Sequence, residues 1–195
     1  MRRGHTVVIG AALLTVMLLP ASMLFSIETP QPFGLTSSTA NWYYSQQATD
    51  TLNEIQSLAA KARRTLEPLQ VQETDLSWNV QADMLNRAKH DVDMIGRDLL
   101  QLEEMKGKLE PWQQSLINKV TPSIHEMVYQ LDQAIGEINK YQDAVRLSLT
   151  QYPQNISMIC RNADQITGTI GTVKQYVQAE EKMAALERSG SSARS

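Results

Sequence analysis

The chain has 195 residues and a net charge of −3, a length that suits one folded domain rather than two. Its mild acidity, together with the lack of any Lys/Arg cluster, leaves no electrostatic footprint for nucleic acid, so a nucleic-acid partner is not expected. Its single cysteine, Cys160, excludes an intrachain disulfide framework.

The N-terminus has the pattern of an export signal. Two arginines follow the initiator methionine, and the hydrophobic block TVVIGAALLTVMLL then occupies residues 6–19. Pro20 breaks this block ahead of small residues, which is typical of a secretory signal. If the leader is not cleaved, residues 6–25 are long enough to cross the ~30 Å hydrocarbon core of a membrane. Residues 1–26 are therefore expected to be a signal peptide or an N-terminal membrane anchor.

This leader also predicts where the protein resides. A cleaved signal would release the chain as a periplasmic protein, whereas an uncleaved one would anchor it in the inner membrane, facing the periplasm. In both cases the rest of the chain is exported, with membrane contact through residues 6–25 only in the second case.

Four runs of apolar residues follow, each stepping three and four positions at a time, which is the period of an amphipathic helix with a narrow apolar stripe. Residues 27–38 predict a linker, residues 39–187 the four helices, and residues 188–195 (RSGSSARS) a disordered tail. The predicted stripes are Ala48, Leu52, Ile55, Ala59, Ala62, Leu66 and Leu69; Trp78, Leu85, Ala88, Val92, Ile95, Leu99 and Leu102; Ile117, Val120, Ile124, Met127, Leu131, Ala134, Ile138, Tyr141 and Val145; and Ile159, Ala163, Ile166, Ile170, Val173, Val177 and Ala184.

Proline, glycine and a capping residue predict the first helix boundaries. Pro68 predicts the end of the first helix, and Asp75 the N-cap of the second. Gly107 predicts a left-handed stop after the second helix, and Pro111 the first residue of the third.

The third run contains a proline. Pro122 cannot donate a backbone hydrogen bond, but Ile117 and Ile124 on its two sides stay seven residues apart, so the stripe keeps its phase. The pattern favours a kinked, continuous helix over a break, closed by Tyr152 and Pro153.

The weakest helical pattern lies at residues 166–173 (ITGTIGTV), where Thr and Gly alternate with Ile. We still expect a helix, because the flanking residues keep the helical phase. Gly168 and Gly171 fall off the stripe, which predicts either a locally soft helix or a flat patch that lets another helix approach closely.

These elements predict an all-α fold. Each narrow stripe needs a partner stripe, and the short connections expected on both sides of the third helix force antiparallel neighbours. The result is an elongated antiparallel four-helix bundle with coiled-coil-like seams, preceded by an N-terminal hydrophobic helix. Long coiled coils between molecules remain an alternative, because the same stripes can pair between chains.

The sequence offers no catalytic, metal-binding or cofactor-binding motif. A di-iron bundle needs Glu-x-x-His, which is absent, and the stripe phase places His90 and His125 on outer faces. Cys160 follows the stripe residue Ile159, so it is predicted to be a half-buried apolar filler, with a disulfide-linked dimer or a redox role as the alternative. We therefore expect neither an enzyme nor a bound cofactor.

The aromatic run Trp42, Tyr43 and Tyr44 is the most distinctive local feature. The stripe phase places Asn41 and Ser45, the residues on either side of the run, inward and Tyr43 outward. These rings are expected either to cover the open end of the bundle or to contact a partner or the membrane interface. The partner would be an unknown envelope protein or a second copy of the chain.

Residues 109–114 (LEPWQQ) and the helix after them resemble a group of exported bacterial helical proteins with no known function. The resemblance covers residues 40–185 and rests on a Pro-Trp helix start, which is a structural motif. It implies an exported helical protein and carries over no site residue. The expected function is that of an envelope protein with a structural or protein–protein interaction role; the alternative is a membrane-anchored extracytoplasmic sensor or ligand-binding bundle.

Overall fold

A computed structural model describes residues 37–71 and 76–192 of the protein, with side chains described over residues 42–71 and 76–188. Within these ranges the protein is all-α, as predicted, and contains no strand. Its elements are α1 (Ser37–Val71), α2 (Trp78–Met105), a 3-10 turn (Lys106–Lys108), α3 (Pro111–Lys140), α4 (Ala144–Ser148) and α5 (Tyr152–Ser192). The predicted leader and the proposed N-cap Asp75 lie outside the described residues, as does almost all of the predicted linker.

The long helices pack into a helical bundle around one apolar core. α1 packs against α2 and α5, and α3 packs against α5 and α2, whereas α1 and α3 touch only sparsely. The short helix α4 rests on α5. None of the helices in the described part of the chain has both the length and the apolar character needed to cross a membrane.

The predicted apolar stripes form most of this core. Leu52, Ile55 and Leu66 of α1 have no exposed surface, and the stripes of α2 and α3 are buried up to Ile138, apart from the half-buried Trp78. In α5 the stripe is fully buried only as far as Ile170. The prediction that it continues to Ala184 is wrong, because residues 178–188 of α5 are exposed.

Two predicted helix boundaries differ from the structure. α1 continues past Pro68 to Val71, because the buried side chain of Leu69 holds its last turn on the core. Gly107 does not form a left-handed stop; it lies in the 3-10 turn, which the Leu109 N–H closes by donating to the Lys106 carbonyl at 3.2 Å.

α3 begins at Pro111, as predicted, and continues without a break through Pro122 to Lys140. The predicted continuity across the proline is confirmed. One nearby carbonyl, that of Ile117, accepts a hydrogen bond from the Thr121 hydroxyl at 2.8 Å.

The predicted extension of this helix to Tyr141 and Val145 is wrong. Asp143 starts a new helix, α4, by accepting hydrogen bonds from the N–H groups of Val145 and Arg146. This change of direction turns Leu147 into the core and leaves Val145 64% exposed. The connection between α3 and α5 is therefore longer than the sequence pattern predicts.

The segment 166–173 is helical, as predicted, and forms part of α5. α5 then extends to Ser192, into the segment for which the sequence predicts a disordered tail.

Candidate functional site

An open groove of about 490 Å³ lies between the first turns of α1, the first turn of α3 and the C-terminal half of α5. We call it the Trp groove. It is lined by Trp42, Ser45, Gln46, Thr49, Glu110, Trp112, Lys174, Val177, Gln178 and Glu181.

A buried glutamine joins the helices beneath this groove. Gln113 is fully buried, and its amide donates to the Ser45 carbonyl at 2.7 Å and to the Thr49 hydroxyl at 3.0 Å. Its amide oxygen accepts the backbone N–H of Glu110 at 3.1 Å. Because one side chain holds both the start of α3 and the first turns of α1, the base of the groove is fixed by hydrogen bonds.

Two tryptophans from different helices line the groove. Trp112, next to Gln113 on α3, is half-buried and packs against the apolar core, so its position is set by the bundle. Trp42 on α1 is 66% exposed. The groove therefore combines one anchored indole with one that solvent or a ligand can reach.

The ionisable residues of the groove leave it negative. Its lining includes two carboxylates, those of Glu110 and Glu181, and one ammonium group, that of Lys174. The Lys174 Nζ donates to the Asn53 side-chain oxygen on α1. The groove therefore carries one net negative charge, and its one cation already has a polar partner.

The predicted aromatic cluster divides into two parts. Tyr44 is half-buried, and the Lys108 Nζ lies 4.3 Å from its ring centroid and donates to its hydroxyl at 3.1 Å. Tyr43 meets Tyr44 edge to face, with ring centroids 5.8 Å apart, but is itself 58% exposed. Tyr44 thus packs against the apolar core, whereas Trp42 and Tyr43 present accessible rings.

The two glycines singled out in the sequence occupy different environments. Gly168 is exposed and has open space above it. A Cβ on Gly171 would lie 3.2 Å from the Gln56 amide nitrogen, which donates to the Thr167 carbonyl at 3.1 Å. The close approach at Gly171 therefore comes from a side chain of α1, and a patch for another helix stays a prediction.

Cys160 is more deeply buried than predicted, with only 3% of its surface exposed, because it packs inside the bundle rather than at its margin. This burial raises the pKa of its thiol to about 11, against a smaller lowering by Arg63. The thiol is therefore protonated at neutral pH, which disfavours a nucleophilic role.

The two histidines considered as ligands, His90 and His125, are both exposed, as predicted. Over residues 37–71 and 76–192, no group of three or more His, Cys, Asp or Glu side chains is arranged to hold a metal ion.

Sequence reasoning missed the buried polar residues, which are Gln81, Asp91, Gln113, Ser123, Asn155 and Asn162. Gln113 does have a local signal. It is the third residue of a helix whose N-cap is Glu110, and a glutamine side chain at that position can accept the backbone N–H of the N-cap residue. No local signal identifies Asp91, because its partner Lys61 lies on another helix.

Comparisons with known proteins add no family or relative. No protein-family model, no curated protein and no solved structure matches this chain.

Proposed function

We propose that this protein is an exported helical bundle of the cell envelope that acts without catalysis, through protein–protein contact or as a structural element. The observation that carries this proposal is the pair of accessible rings at one end of the bundle, Trp42 and Tyr43, which are 66% and 58% exposed. Tryptophan and tyrosine are enriched in protein interfaces, where large rigid rings supply contact area at low entropic cost.

We further propose that the bundle is elongated and antiparallel, with coiled-coil-like seams. Tyr44 of α1 contacts Lys108 in the turn directly after α2, and Lys61 of α1 contacts Asp91 within α2. Residue numbers thus rise along α1 as they fall along α2, the order expected of antiparallel helices. The 35 residues of α1 span about 52 Å at 1.5 Å per residue.

Contacts of α1 with the two remaining long helices support the same arrangement. Asn53 pairs with Lys174 and Arg63 with Asp164, the order expected if α1 and α5 run in opposite directions. Gln113, in the first turn of α3, bonds to the early part of α1, as it would if α1 and α3 run in the same direction.

Export is supported by the basic start and the apolar block in residues 1–26. Fractionation of cells expressing the full chain, with N-terminal sequencing of the product, tests it. A periplasmic species with a new N-terminus means a cleaved signal, and an inner-membrane species that retains residue 1 means an anchor. Recovery of the intact chain from the cytoplasm would contradict the proposal.

The contact function is tested by site-specific photo-crosslinking in intact cells. A benzophenone side chain replaces Tyr43 in one variant and Tyr129 in a matched control, because Tyr129 on α3 is similarly exposed, at 56%. We expect one discrete crosslinked product from position 43, formed with an envelope protein or a second copy, and none from position 129. Equal products from both positions, or none from either, would argue against a contact at this end.

A second candidate function is that of an extracytoplasmic ligand-binding bundle or a membrane-anchored sensor. It is favoured by a specific observation, the Trp groove, because clefts between helices are common sites for small ligands in bundles.

A further inference from the structure

The side chains that line the Trp groove indicate which class of ligand it can bind. Two indoles, those of Trp42 and Trp112, line the same groove. The face of an indole attracts cations more strongly than that of any other aromatic side chain. This favours a positively charged ligand that can lie against a ring.

The net charge of the groove also favours a positively charged ligand. Glu110 and Glu181 outnumber Lys174, and the lysine is already bonded to Asn53. An anionic ligand would meet two carboxylates, whereas a cation would neutralise the net negative charge. Anions such as phosphate are therefore disfavoured.

Hydrogen bonds within the protein occupy some of the polar groups that line the groove and so narrow the class of ligand further. The Thr49 hydroxyl donates to the Ser45 carbonyl at 2.9 Å and accepts from the Gln113 amide, and the Gln46 amide donates to Asp50 at 3.2 Å. These groups are engaged within the protein. A sugar, which needs many hydrogen bonds, is less well matched than an alkylated ammonium group, which needs few.

We propose that the Trp groove binds a small organic cation with an alkylated, preferably quaternary, ammonium group. The ammonium group lies against the indoles of Trp42 and Trp112, and the carboxylate of Glu181 balances its charge. This inference rests on the second function proposed above, that of a ligand-binding bundle, and specifies its ligand class.

The test uses the purified full-length chain and two ligands of the same shape. Choline carries a quaternary ammonium group, and 3,3-dimethylbutan-1-ol replaces that group by a neutral tert-butyl group. Tryptophan fluorescence and calorimetry are measured at constant ionic strength. We expect choline to give a saturable response and the alcohol to give none, and N-acetylglucosamine serves as a neutral sugar probe.

Matched variants locate the site. Trp42→Ala and Trp112→Ala are each expected to weaken choline binding about tenfold, through loss of a cation–π contact. Glu181→Gln should weaken it several-fold, whereas Glu187→Gln should leave it unchanged, since Glu187 is exposed on the same helix but does not line the groove. Circular dichroism checks that each variant is folded. If Trp112→Ala fails to fold, choline binding by Trp42→Ala decides the test, because Trp42 is exposed.

Three results would overturn the proposal: no saturable choline binding, equal binding of choline and the alcohol, or tighter binding of the sugar than of choline. An equal effect of the Glu181 and Glu187 substitutions would do so as well. Saturable binding of the sugar without choline binding would overturn the ligand class and leave the ligand-binding function standing, whereas no binding of any probe would count against both. None of these outcomes depends on the crosslinking at Tyr43.

Discussion

The Lys61 Nζ on α1 lies 2.6 Å from the Asp91 Oδ1 on α2, and only the carboxylate of this pair is buried. The Asp91 side chain is 2% exposed, whereas that of Lys61 is 58% exposed. The Asp91 carboxylate is shielded from water between α1 and α2, and the largely exposed Lys61 side chain supplies an ammonium group that pairs with it. The pair thus links α1 to α2 through a buried carboxylate.

Replacing Lys61 by Ala leaves the buried Asp91 carboxylate without this partner. We expect the free energy of unfolding to fall by about 1–3 kcal/mol, the cost of a buried polar group that loses its partner. The matched control is Lys89→Ala, which breaks the exposed i,i+4 pair with Asp93 and should cost less than about 0.5 kcal/mol. Urea denaturation measures both, and equal losses would mean that burial of Asp91 has no energetic consequence.

Leu131 is a stripe residue of α3 with 2% of its surface exposed. Leu131→Ala removes buried methyl groups and leaves a cavity, so it should destabilise the protein by about 2–5 kcal/mol. Leu100→Ala on α2 is the control, because Leu100 is 66% exposed. Thermal melts that show the same stability for both variants would place Leu131 outside the core.

Asp98 on α2 is predicted to destabilise the folded protein when it ionises. Its Oδ2 atom is buried and has no hydrogen-bond partner among the described residues. Burial raises the pKa of this carboxyl, and Glu54 on α1 adds to the rise, whereas Arg97 opposes it. A raised folded-state pKa means that stability is fully present below the ordinary value of 3.8 and is lost as the pH rises through the folded-state pKa.

Asp98→Asn cannot ionise, so we expect it to be more stable than the original protein at neutral pH, with the difference vanishing below pH 3.8. Denaturant titrations across this pH range measure the difference. Asp93→Asn serves as the control, because Asp93 is exposed and paired with Lys89. A gain from Asp98→Asn that does not change with pH would show that ionisation is not the cause.

Cys160 should react slowly in the folded protein. The residue is 3% exposed, and burial raises the pKa of its thiol to about 11, so both reagent access and the thiolate fraction are low at pH 8. We expect modification by a disulfide reagent at that pH to be at least about a hundredfold slower than in guanidinium-unfolded protein. Rapid modification without denaturant would indicate an accessible thiol and would revive the disulfide-linked dimer.

Local periodicity predicted most of the helices correctly. The spacing of Leu52, Ile95 and Met127 places all three in the core, where the structure buries them, because a residue's position on a helix face depends only on its near neighbours. The helix start at Pro111 is equally local, because the N–H that proline lacks would have no intrahelical partner at the first helical position. The helix across residues 166–173 followed from the phase of its flanks.

Local reasoning failed where a competing contact decided the outcome. The stripe pattern extended α3 to Val145, but the Asp143 cap and the burial of Leu147 started a new helix instead. Likewise, the spacing of α5 extends the stripe to Ala184, yet the structure leaves that part of the helix exposed. A periodic pattern reports which face can be buried and not whether another helix is present to cover it.

The all-α class and the apolar faces of the long helices could be read from the amino-acid sequence alone, because helical phase is a property of residues within a few turns of one another. The Trp groove and the Lys61–Asp91 pair could not. They bring together side chains separated by tens of residues, such as Trp42, Trp112 and Glu181, and their distances are set by how whole helices pack, which no short-range pattern encodes.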